Sequence, residues 1–333
     1  MLISEDSKPA GWIRLSAALY YCAASMAVQF SNKALFTLYG YHFPILMTFL
    51  QMLFIAPVCY IVARPNLQWE TAKGIMPLAF VNVLNVVAGL LGTAGLNIPM
   101  FIALRRFTLV ATIALERLLL GKQHEKATLG AVGVMIGGAL VAAVTDLSFH
   151  PTGYAAVLAN DLLTALYLIR VKATPATQGL STTGLLFYNA TLSLPLLAVA
   201  LAISWEPAAI WAYPGYASAG FRAVLGMSCM LGLTINHSTF VCTRYNDPLT
   251  TSVAGNLKNV LMTFIGALSF GDFVFRPWNA AGLAISMAGA VWYATKTALR
   301  SVQKNLICHG LFNQPHQQWQ ASCHHCHCIT PAA

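Results

Sequence analysis

Three basic residues of this 333-residue chain lie within long apolar stretches, where a charged side chain is unexpected. Arg105 and Arg106 come early in the stretch 98–120, and Lys258 lies well inside the stretch 249–271. At the centre of a bilayer such a charge costs roughly 3 kcal/mol or more unless a cavity or a partner receives it. Arginine can bind a phosphate through two hydrogen bonds, and lysine supplies a point charge. The three residues therefore predict a cationic cavity for an anionic, phosphate-bearing solute.

A purely structural role is the alternative for each of these cations. Arg105 and Arg106 could extend to the lipid headgroups, and Lys258 could pair with Glu116 or Asp161 from another helix. Net positive charge without a compensating acid favours an anion over a cation or a neutral drug. It does not identify the group to which the phosphate is attached.

Polar and small residues surround the predicted lysine. Asn256 and Asn259 flank Lys258 and could hydrogen-bond a ribose or the edge of a base. Gly255 would let a ligand approach the backbone closely. Thr250 precedes them in the same stretch, and helix packing explains a small hydroxyl residue there equally well.

Two other stretches offer groups suited to a nucleotide. Tyr188 could stack on a base and Asn189 could read its edge, although an aromatic belt at the membrane boundary would also explain the tyrosine. Asn82 and Asn85 could line the cavity or bond a neighbouring helix. The sequence leaves both choices open.

The elements that must position these residues are membrane helices. Hydrophobic residues make up 57% of the chain and charged residues 9%, whereas soluble domains are roughly 25% charged. About 20 apolar residues cross a bilayer core, so the expected fold class is an all-α polytopic membrane protein with the lipid bilayer as a partner. The stretches between turn and charge signals predict ten spans, at 12–32, 42–63, 74–95, 98–120, 127–145, 152–171, 183–204, 220–242, 249–271 and 278–299.

The distribution of basic residues predicts an orientation. The formal net charge is +9, but the cations are scattered singly, so no nucleic-acid partner is expected. With ten spans and a cytosolic N-terminus, both termini are cytosolic and Lys33, Arg222 and Arg276 alone face the other side. The cytosolic segments then hold Lys8, Arg14, Arg64, Lys73, Arg117, Lys122, Lys126, Arg170, Lys172, Arg244, Lys296, Arg300 and Lys304.

The two halves of the chain resemble each other at an offset of 152 residues. This offset pairs Arg106 with Lys258. A repeat of five spans must be inverted relative to its partner, which is a transporter design with the site between the halves. We therefore expect repeats at 12–150 and 151–300 after a cytosolic segment 1–11. The remaining matches pair Gly130, Met135 and Gly137 with Gly282, Met287 and Gly289.

A tail rich in cysteine and histidine, 301–333, follows the last span and is expected to be disordered in the cytosol. Its run from Cys323 to Cys328 lacks the spaced pairs of a structural zinc site, while S-acylation beside the membrane is an alternative. We predict no metal site and no cofactor. The cysteines within or beside the spans read as small packing residues, and no disulfide is assigned to them.

At these motifs the sequence resembles the nucleotide-sugar transporters of the drug/metabolite transporter superfamily, in the branch that carries UDP-sugars. The resemblance covers residues 15 to 298. The segments that carry it are Asn85-Val86-Val87-Ala88-Gly89-Leu90, Leu96-Asn97-Ile98-Pro99-Met100-Phe101 with Leu104-Arg105-Arg106-Phe107, Tyr188-Asn189-Ala190, and Cys242-Thr243-Arg244-Tyr245-Asn246 with Gly255-Asn256-Leu257-Lys258-Asn259.

The resemblance implies ten helices in two inverted halves and an antiporter that exchanges a nucleotide sugar for the matching nucleoside monophosphate. It implies that Tyr188 and Asn189 read the base, and that Gly255, Lys258 and Asn259 hold ribose, phosphate or sugar. It also implies a multi-pass protein of a Golgi or endoplasmic reticulum membrane that is not an enzyme. A homodimer stays an open alternative.

Departures from the family pattern bear on the cargo. GDP-mannose carriers have a second Asn after the Tyr-Asn pair and a Gly-Ala-Leu-Asn-Lys run, whereas here Ala190 follows Asn189 and Lys258 precedes Asn259. This favours a UDP-sugar with UMP as the exchanged nucleotide. A GDP-sugar carrier and an organic-phosphate (sugar-phosphate) translocator remain the alternatives. A membrane-embedded enzyme is disfavoured because no nucleophile-and-base constellation is present.

Overall fold

The computed structural model describes residues 11–96, 101, 104–143, 151–204, 210, 212–270, 278, 281–282 and 284–297. Helices form in these ranges, and no strand does. Most of the expected N-terminal segment 1–11, the motif residues 97–100 and the expected tail 301–333 with its cysteine and histidine run lie outside the described residues.

The helices follow one another with short connections. Three of them begin at a proline (Pro44, Pro151 and Pro248), whose fixed φ suits the first helical turn. In chain order they are α1 (Gly11–Leu38), α2 (Pro44–Ala63), α3 (Trp69–Gly95), α4 (Thr108–Leu120), α5 (Lys126–Ala143), α6 (Pro151–Gln178), α7 (Thr182–Ile203), α8 (Ala219–Tyr245), α9 (Pro248–Phe270) and α10 (284–297).

The fourth predicted span differs from expectation. The sequence pattern predicts one continuous helix over 98–120, whereas a 3-10 turn at Arg105–Phe107 precedes α4. Thr108 Oγ1 donates to the carbonyl of Arg105 at 2.7 Å, so a side chain competes for the backbone acceptor at this joint. The two arginines therefore occupy a tighter turn than an α-helix would give them.

Five helices are long and apolar enough, by length and composition within the described residues, to cross a membrane. The five candidates are Pro44–Ala63, Trp69–Gly92, Pro151–Thr174, Thr182–Ile203 and Ala219–Tyr245, and a shorter apolar helix covers Lys126–Val141.

The most extensive helix contacts join elements from opposite halves of the sequence. These pairs are α3 with α6, α2 with α7, and α1 with α8. The largest buried apolar cluster lies among α2, α3, α6, α7 and α8, and it includes Ile55, Ile75, Leu186 and Phe240. Long-range apolar packing therefore holds the two halves against each other.

Helices α5 and α10 approach each other closely at glycines. A Cβ on Gly138 would lie 2.5 Å from the carbonyl oxygen of Gly282, so only glycine fits there. One on Gly289 would lie 2.9 Å from the carbonyl oxygen of Ala131. Since the later residue of α5 meets the earlier residue of α10, the two helices run in opposite directions.

The described helix connections lie in two groups. In one group, polar bonds link the start of α1 to the α8–α9 connection, the α8–α9 connection to the α4–α5 connection, and the α2–α3 connection to α7, whose first residue bonds Arg244 of α8. We call this group the basic face because Arg14, Arg64, Lys122, Lys172 and Arg244 lie there. In the other group the α1–α2 and α7–α8 connections meet in an aromatic cluster, where Tyr213 donates to the carbonyl of Tyr39 at 2.6 Å.

Candidate anion-binding site

Lys258 lies on α9 with 6% of its surface exposed. Its ammonium donates to Ser25 Oγ of α1 at 2.8 Å. Among the described residues no carboxylate lies within 4.0 Å of it, so neither Glu116 nor Asp161 is its partner. The pairing that would have given Lys258 a purely structural role is wrong, and its charge is buried with one neutral hydroxyl.

Arg105 differs from Lys258 in having an acidic partner. Its Nη1 lies 3.2 Å from Asp161 Oδ1 on α6 and 3.1 Å from Thr164 Oγ1, and it also donates to Asn160. The Thr108 hydroxyl lies 2.6 Å from the same Asp161 oxygen, so its one hydrogen is shared between that carboxylate and the carbonyl of Arg105. The ion pair neutralises most of the charge, so Arg105 joins α4 to α6 rather than extending to lipid headgroups.

The two cations lie close enough for their like charges to repel each other. We treat Arg105 and Lys258 as one candidate site, in which Asp161 is the only acid within ion-pair distance of either cation in the described chain. Arg105 keeps a quarter of its side chain exposed, which leaves guanidinium surface available to a ligand. The site carries a net positive charge.

Arg106 points away from this pair. It is 2% exposed and donates to Ser286 of α10, whose hydroxyl donates in turn to the carbonyl of Met135 at 2.7 Å. This chain ties α4 to the close contact between α5 and α10. Arg106 therefore serves helix packing in the described structure, and its predicted substrate contact remains a prediction.

Tyr21 on α1 is a residue of this site that the sequence did not reveal. A Cβ on Gly255 would lie 3.1 Å from the Tyr21 hydroxyl, so the absence of a side chain at Gly255 lets the ring approach α9. Cys22 donates weakly to the carbonyl of Ala254 at 3.6 Å. The wall facing Lys258 is thus built by uncharged residues of α1, which nothing in the sequence marked as part of the site.

The other predicted residues of α9 are engaged within the fold. Asn256 donates to the carbonyl of Ser252 at 2.9 Å, and Thr250 shares a 2.9 Å hydrogen bond with the hydroxyl of Tyr293. Asn259 is half-buried and partnered. The structure therefore brings Gly255 and Lys258 together with Arg105 and directs Thr250 towards α10.

Asn85 supports Arg105 from behind. Its Oδ1 accepts from Asn160 Nδ2 at 2.7 Å and from Thr164 Oγ1 at 2.8 Å. Since Asn160 and Thr164 also accept hydrogen bonds from Arg105, the Asn85 amide fixes the two groups that hold the guanidinium. Asn82 bonds a neighbouring helix instead, donating to Ser193 at 3.4 Å.

Tyr188 and Asn189 differ sharply although they are neighbours on α7. The Tyr188 hydroxyl donates to the carbonyl of Asn66 at 2.6 Å and accepts from the backbone N–H of Gln68 at 3.1 Å, so it anchors the α2–α3 connection. Asn189 is fully buried, and neither polar atom of its side chain has a partner among the described residues. An unpartnered buried amide is unfavourable by about 1–3 kcal/mol, which makes Asn189 the stronger candidate for a ligand contact.

A polar network at the basic face joins the two halves of the chain. Lys122, in the α4–α5 connection, lies 3.2 Å from Glu116 Oε2 and 3.2 Å from Asp247 Oδ2 in the α8–α9 connection. Lys172 of α6 donates to the carbonyls of Arg244 and Asn246, at 2.7 Å each. Burial alone would raise the pKa of Asp247, but Lys122 and Lys172 outweigh it and hold that pKa below its ordinary value.

A surface concavity at the end of α2 lies away from Lys258. It is about 560 Å³ in volume and is lined by Tyr60, Ile61, Arg64, Pro65, Asn66 and Leu67 at the end of α2. It contains none of the predicted site residues, although Tyr188 bonds its Asn66. Within the described ranges no group of three or more His, Cys, Asp or Glu side chains could hold a metal ion.

Residues 13–294 match the model of the Triose-phosphate Transporter family. This range includes all the helices described above except the first residues of α1 and the last residues of α10. A crystal structure of another protein superimposes with a TM-score of 0.62 at 18% identity. It covers 84% of this chain and 98% of its own, and at this identity the likeness concerns the fold alone.

Several characterised proteins are similar to this chain over most of its length. UDP-sugar transporter sqv-7 of Caenorhabditis elegans is 34% identical over 85% of this chain and 89% of its own. Nucleotide sugar transporter SLC35D2 of Homo sapiens is 35% identical over 87% of this chain and 88% of its own. UDP-galactose/UDP-glucose transporter 7 of Arabidopsis thaliana is 33% identical over 88% and 93%, respectively.

Proposed function

Since this chain belongs to the Triose-phosphate Transporter family of the drug/metabolite transporter superfamily, we propose that it is a nucleotide-sugar antiporter. Its cargo is a UDP-sugar that enters the lumen of the Golgi or endoplasmic reticulum in exchange for UMP. The names of the relatives support the class of cargo, because sqv-7 is a UDP-sugar transporter and SLC35D2 a nucleotide sugar transporter.

The observation that carries this proposal is the buried, acid-free ammonium of Lys258. Among the described residues this charge has only the Ser25 hydroxyl as a partner, so it is poorly compensated. A buried charge without its counter-ion is destabilising by roughly 3–5 kcal/mol. A phosphate oxygen would supply the missing counter-charge and a charge-assisted hydrogen bond. An anionic cargo therefore fits the site better than a neutral or cationic one.

Arg105 supplies the second contact of the proposed site. Its ion pair with Asp161 fixes the guanidinium, and a quarter of its side chain remains exposed. The pyrophosphate of a nucleotide sugar spans two phosphates, so it can meet both cations at once. A single phosphate, as in UMP, would engage fewer of these donors and be released more readily.

Asn189 is the group that we assign to the base. Its amide carries a donor and an acceptor, neither of which is used by the described residues. Uracil presents the complementary pair, N3–H and a carbonyl oxygen, on one edge. Ala190 in place of a second Asn offers fewer groups for the larger guanine edge, which favours UDP over GDP.

An inverted repeat of five helices explains how one site can open to both sides. In such a repeat α1 corresponds to α6, α2 to α7, α3 to α8, and so on. The contact between α1 and α8 then has its counterpart in the contact between α6 and α3, and the contacts α2–α7, α4–α9 and α5–α10 join corresponding helices. The helix contacts therefore support the repeat. Alternating access then consists of the halves rocking around Lys258. The basic face is the cytosolic side on this proposal.

Exchange rather than net transport follows from the charge of the empty site. The charge of Lys258 has no acidic partner among the described residues, so an empty site that closes on both sides is disfavoured. Bound phosphate supplies the counter-charge and lets the loaded protein reorient. The protein should therefore return to the cytosolic side only with a nucleoside monophosphate bound.

A ligand panel on the purified protein in detergent tests the proposal. A ligand that binds the native state alone raises the melting midpoint. We expect UMP and UDP-sugars to raise it, and CMP and GMP to have little effect. A shift with GMP and GDP-sugars alone would favour the GDP alternative, and a shift with inorganic or sugar phosphates but no nucleotide would favour an organic-phosphate translocator.

A further inference from the structure

The bridge at Lys122 joins the two halves at the basic face. Lys122 belongs to the α4–α5 connection of the first half, and Asp247 belongs to the α8–α9 connection of the second. Their side chains are 35% and 43% exposed, so solutes can reach the pair. Glu116, the other partner of Lys122, is fully buried and belongs to the first half like Lys122 itself. Two bonds therefore cross between the halves here, the one from Lys122 to Asp247 and the one from Asn246 Nδ2 to the carbonyl of Arg14 at 3.0 Å.

A second contact between the halves lies below this bridge. Thr112 of α4 and Ser252 of α9 share a hydrogen bond of 3.1 Å, and both are buried. Ser252 precedes Lys258 by six residues, or about 9 Å along a helix, on the side of the basic face. The bridge and this hydroxyl pair therefore lie in order between the basic face and Lys258, and together they close that route to the site.

The entrance at this end attracts anions. Lys122, Lys172 and Arg14 all act on Asp247 and together outweigh the effect of its burial, so basic groups dominate this region. The carboxylate of Asp247 occupies a position beside Lys122 that a phosphate oxygen could also occupy. Both are oxyanions that bind an ammonium at the same range of distances.

From this arrangement we infer that the bridge between Lys122 and Asp247 is a latch that closes the basic face, and that an incoming phosphate opens it by replacing the Asp247 carboxylate at Lys122. Lys122 is thus a transient anion-binding residue, distinct from the buried Lys258. The opening step rests on the proposed function, because it needs an anionic cargo. The closing step rests on the geometry alone.

Reactivity of a cysteine placed behind the latch measures its opening. In a Ser252→Cys background the rate of maleimide modification at position 252 is followed by peptide mass spectrometry, which separates it from the native cysteines. A partly exposed ion pair contributes about 0.2–1 kcal/mol, so Asp247→Asn or Lys122→Gln should raise that rate roughly 1.5-fold to fivefold. Arg117→Gln is the matched control, because Arg117 is an exposed cation one residue from Glu116 and makes no ion pair among the described residues. Equal rates in all four proteins would overturn the latch.

The reversed pair separates the charge effect from a folding effect. In a Glu116→Gln background, which avoids a second carboxylate beside the new one, Lys122→Glu combined with Asp247→Lys restores an ion pair between the halves, so the rate at position 252 should return towards that of the parent. Melting midpoints of all variants identify any protein that has lost its fold. A double variant that folds but stays as reactive as Asp247→Asn would contradict an ionic latch.

Inorganic pyrophosphate, at matched ionic strength, tests the opening step. It should raise the rate at position 252 at least twofold in the parent and leave the Lys122→Gln protein unchanged. No change in the parent, or an equal rise in both proteins, would overturn anion exchange at Lys122. Failure of nucleotide sugars to exchange in vesicles, with these reactivity differences intact, would instead count against the proposed function and leave the latch in place.

Discussion

Replacing Lys258 with glutamine removes the charge but keeps a side chain that can bond Ser25. A hydrogen bond to a charged group contributes about 1.5–3 kcal/mol, so the affinity for UMP and UDP-sugars should fall roughly tenfold to 150-fold. The melting midpoint without ligand should stay the same or rise, because a buried charge without an acidic partner among the described residues is removed. The two effects have opposite signs, which distinguishes a ligand-binding lysine from a structural one.

The assay compares melting midpoints across a UMP titration for the parent, Lys258→Gln and Lys258→Arg. Arginine keeps the charge and should retain part of the ligand-induced shift. Lys73→Gln is a control cation, since Lys73 lies on the surface in an exposed ion pair with Glu70. It should leave both the midpoint and the UMP response unchanged.

Two results would refute the reasoning about Lys258. An undiminished UMP response in the Lys258→Gln protein would show that its charge does not bind the nucleotide. A clear drop in the midpoint without ligand would show that the lysine supports the fold, through a partner that the buried geometry does not reveal.

Arg105→Gln should lower the unfolding free energy by about 3–5 kcal/mol, because Asp161 is left buried without its cation. Adding Asp161→Asn to this variant should recover much of the lost unfolding free energy, as measured by chemical denaturation. Tyr188→Phe should destabilise the fold by about 1 kcal/mol, because it frees the α2–α3 connection, and should leave the affinity for UMP within about twofold of the parent. Asn189→Ala should instead weaken UMP binding without destabilising the fold. Melting midpoints with and without UMP distinguish the two outcomes. The lowered pKa of Asp247 means that its ion pairs stabilise fully above the ordinary aspartate pKa of about 3.9, so the midpoint difference between the parent and Asp247→Asn should hold from pH 7 to about 5. It should vanish only as the pH falls below that ordinary value, and a difference that disappears near pH 6 would contradict the assignment.

The sequence predicted the helical segments well because hydropathy and breakers are local signals. The boundaries of α2 and α7 fall within a few residues of the expected 42–63 and 183–204. The 3-10 turn at Arg105–Phe107 was missed because it depends on Thr108 bonding back to the backbone, which apolar periodicity does not register. The ten-span inverted repeat remains a prediction that the helix contacts support.

The candidate site was predicted only in part. Lys258 and Arg105 stood out because a charge in an apolar stretch is rare, but their partners lie on helices distant in sequence. Ser25 precedes Lys258 by 233 residues, and a serine in an alanine-rich helix carries no signal of its own. Asp161 was considered as a partner for Lys258 and instead pairs with Arg105, because periodicity does not say which helices face each other.

The different roles of neighbouring residues could not be predicted from the sequence either. Tyr188 and Asn189 form one motif, yet successive residues of a helix point in directions about 100° apart. The hydroxyl of Tyr188 therefore reaches the α2–α3 connection, while Asn189 is buried without a partner in the described chain. The bridge from Lys122 to Asp247 likewise depends on how the halves pack, since the charge pattern predicted only that Lys122 lies on the cytosolic side.

Counterflow in proteoliposomes tests the central claim most directly. Vesicles containing the purified protein are loaded with UMP, and uptake of a labelled UDP-sugar is followed with Lys258→Gln as the inactive control. We expect uptake that requires internal UMP, is blocked by external UMP and is lost in the control. Uptake that is equally fast in empty vesicles, or that persists in the Lys258→Gln protein, would contradict an exchanger built around that buried lysine.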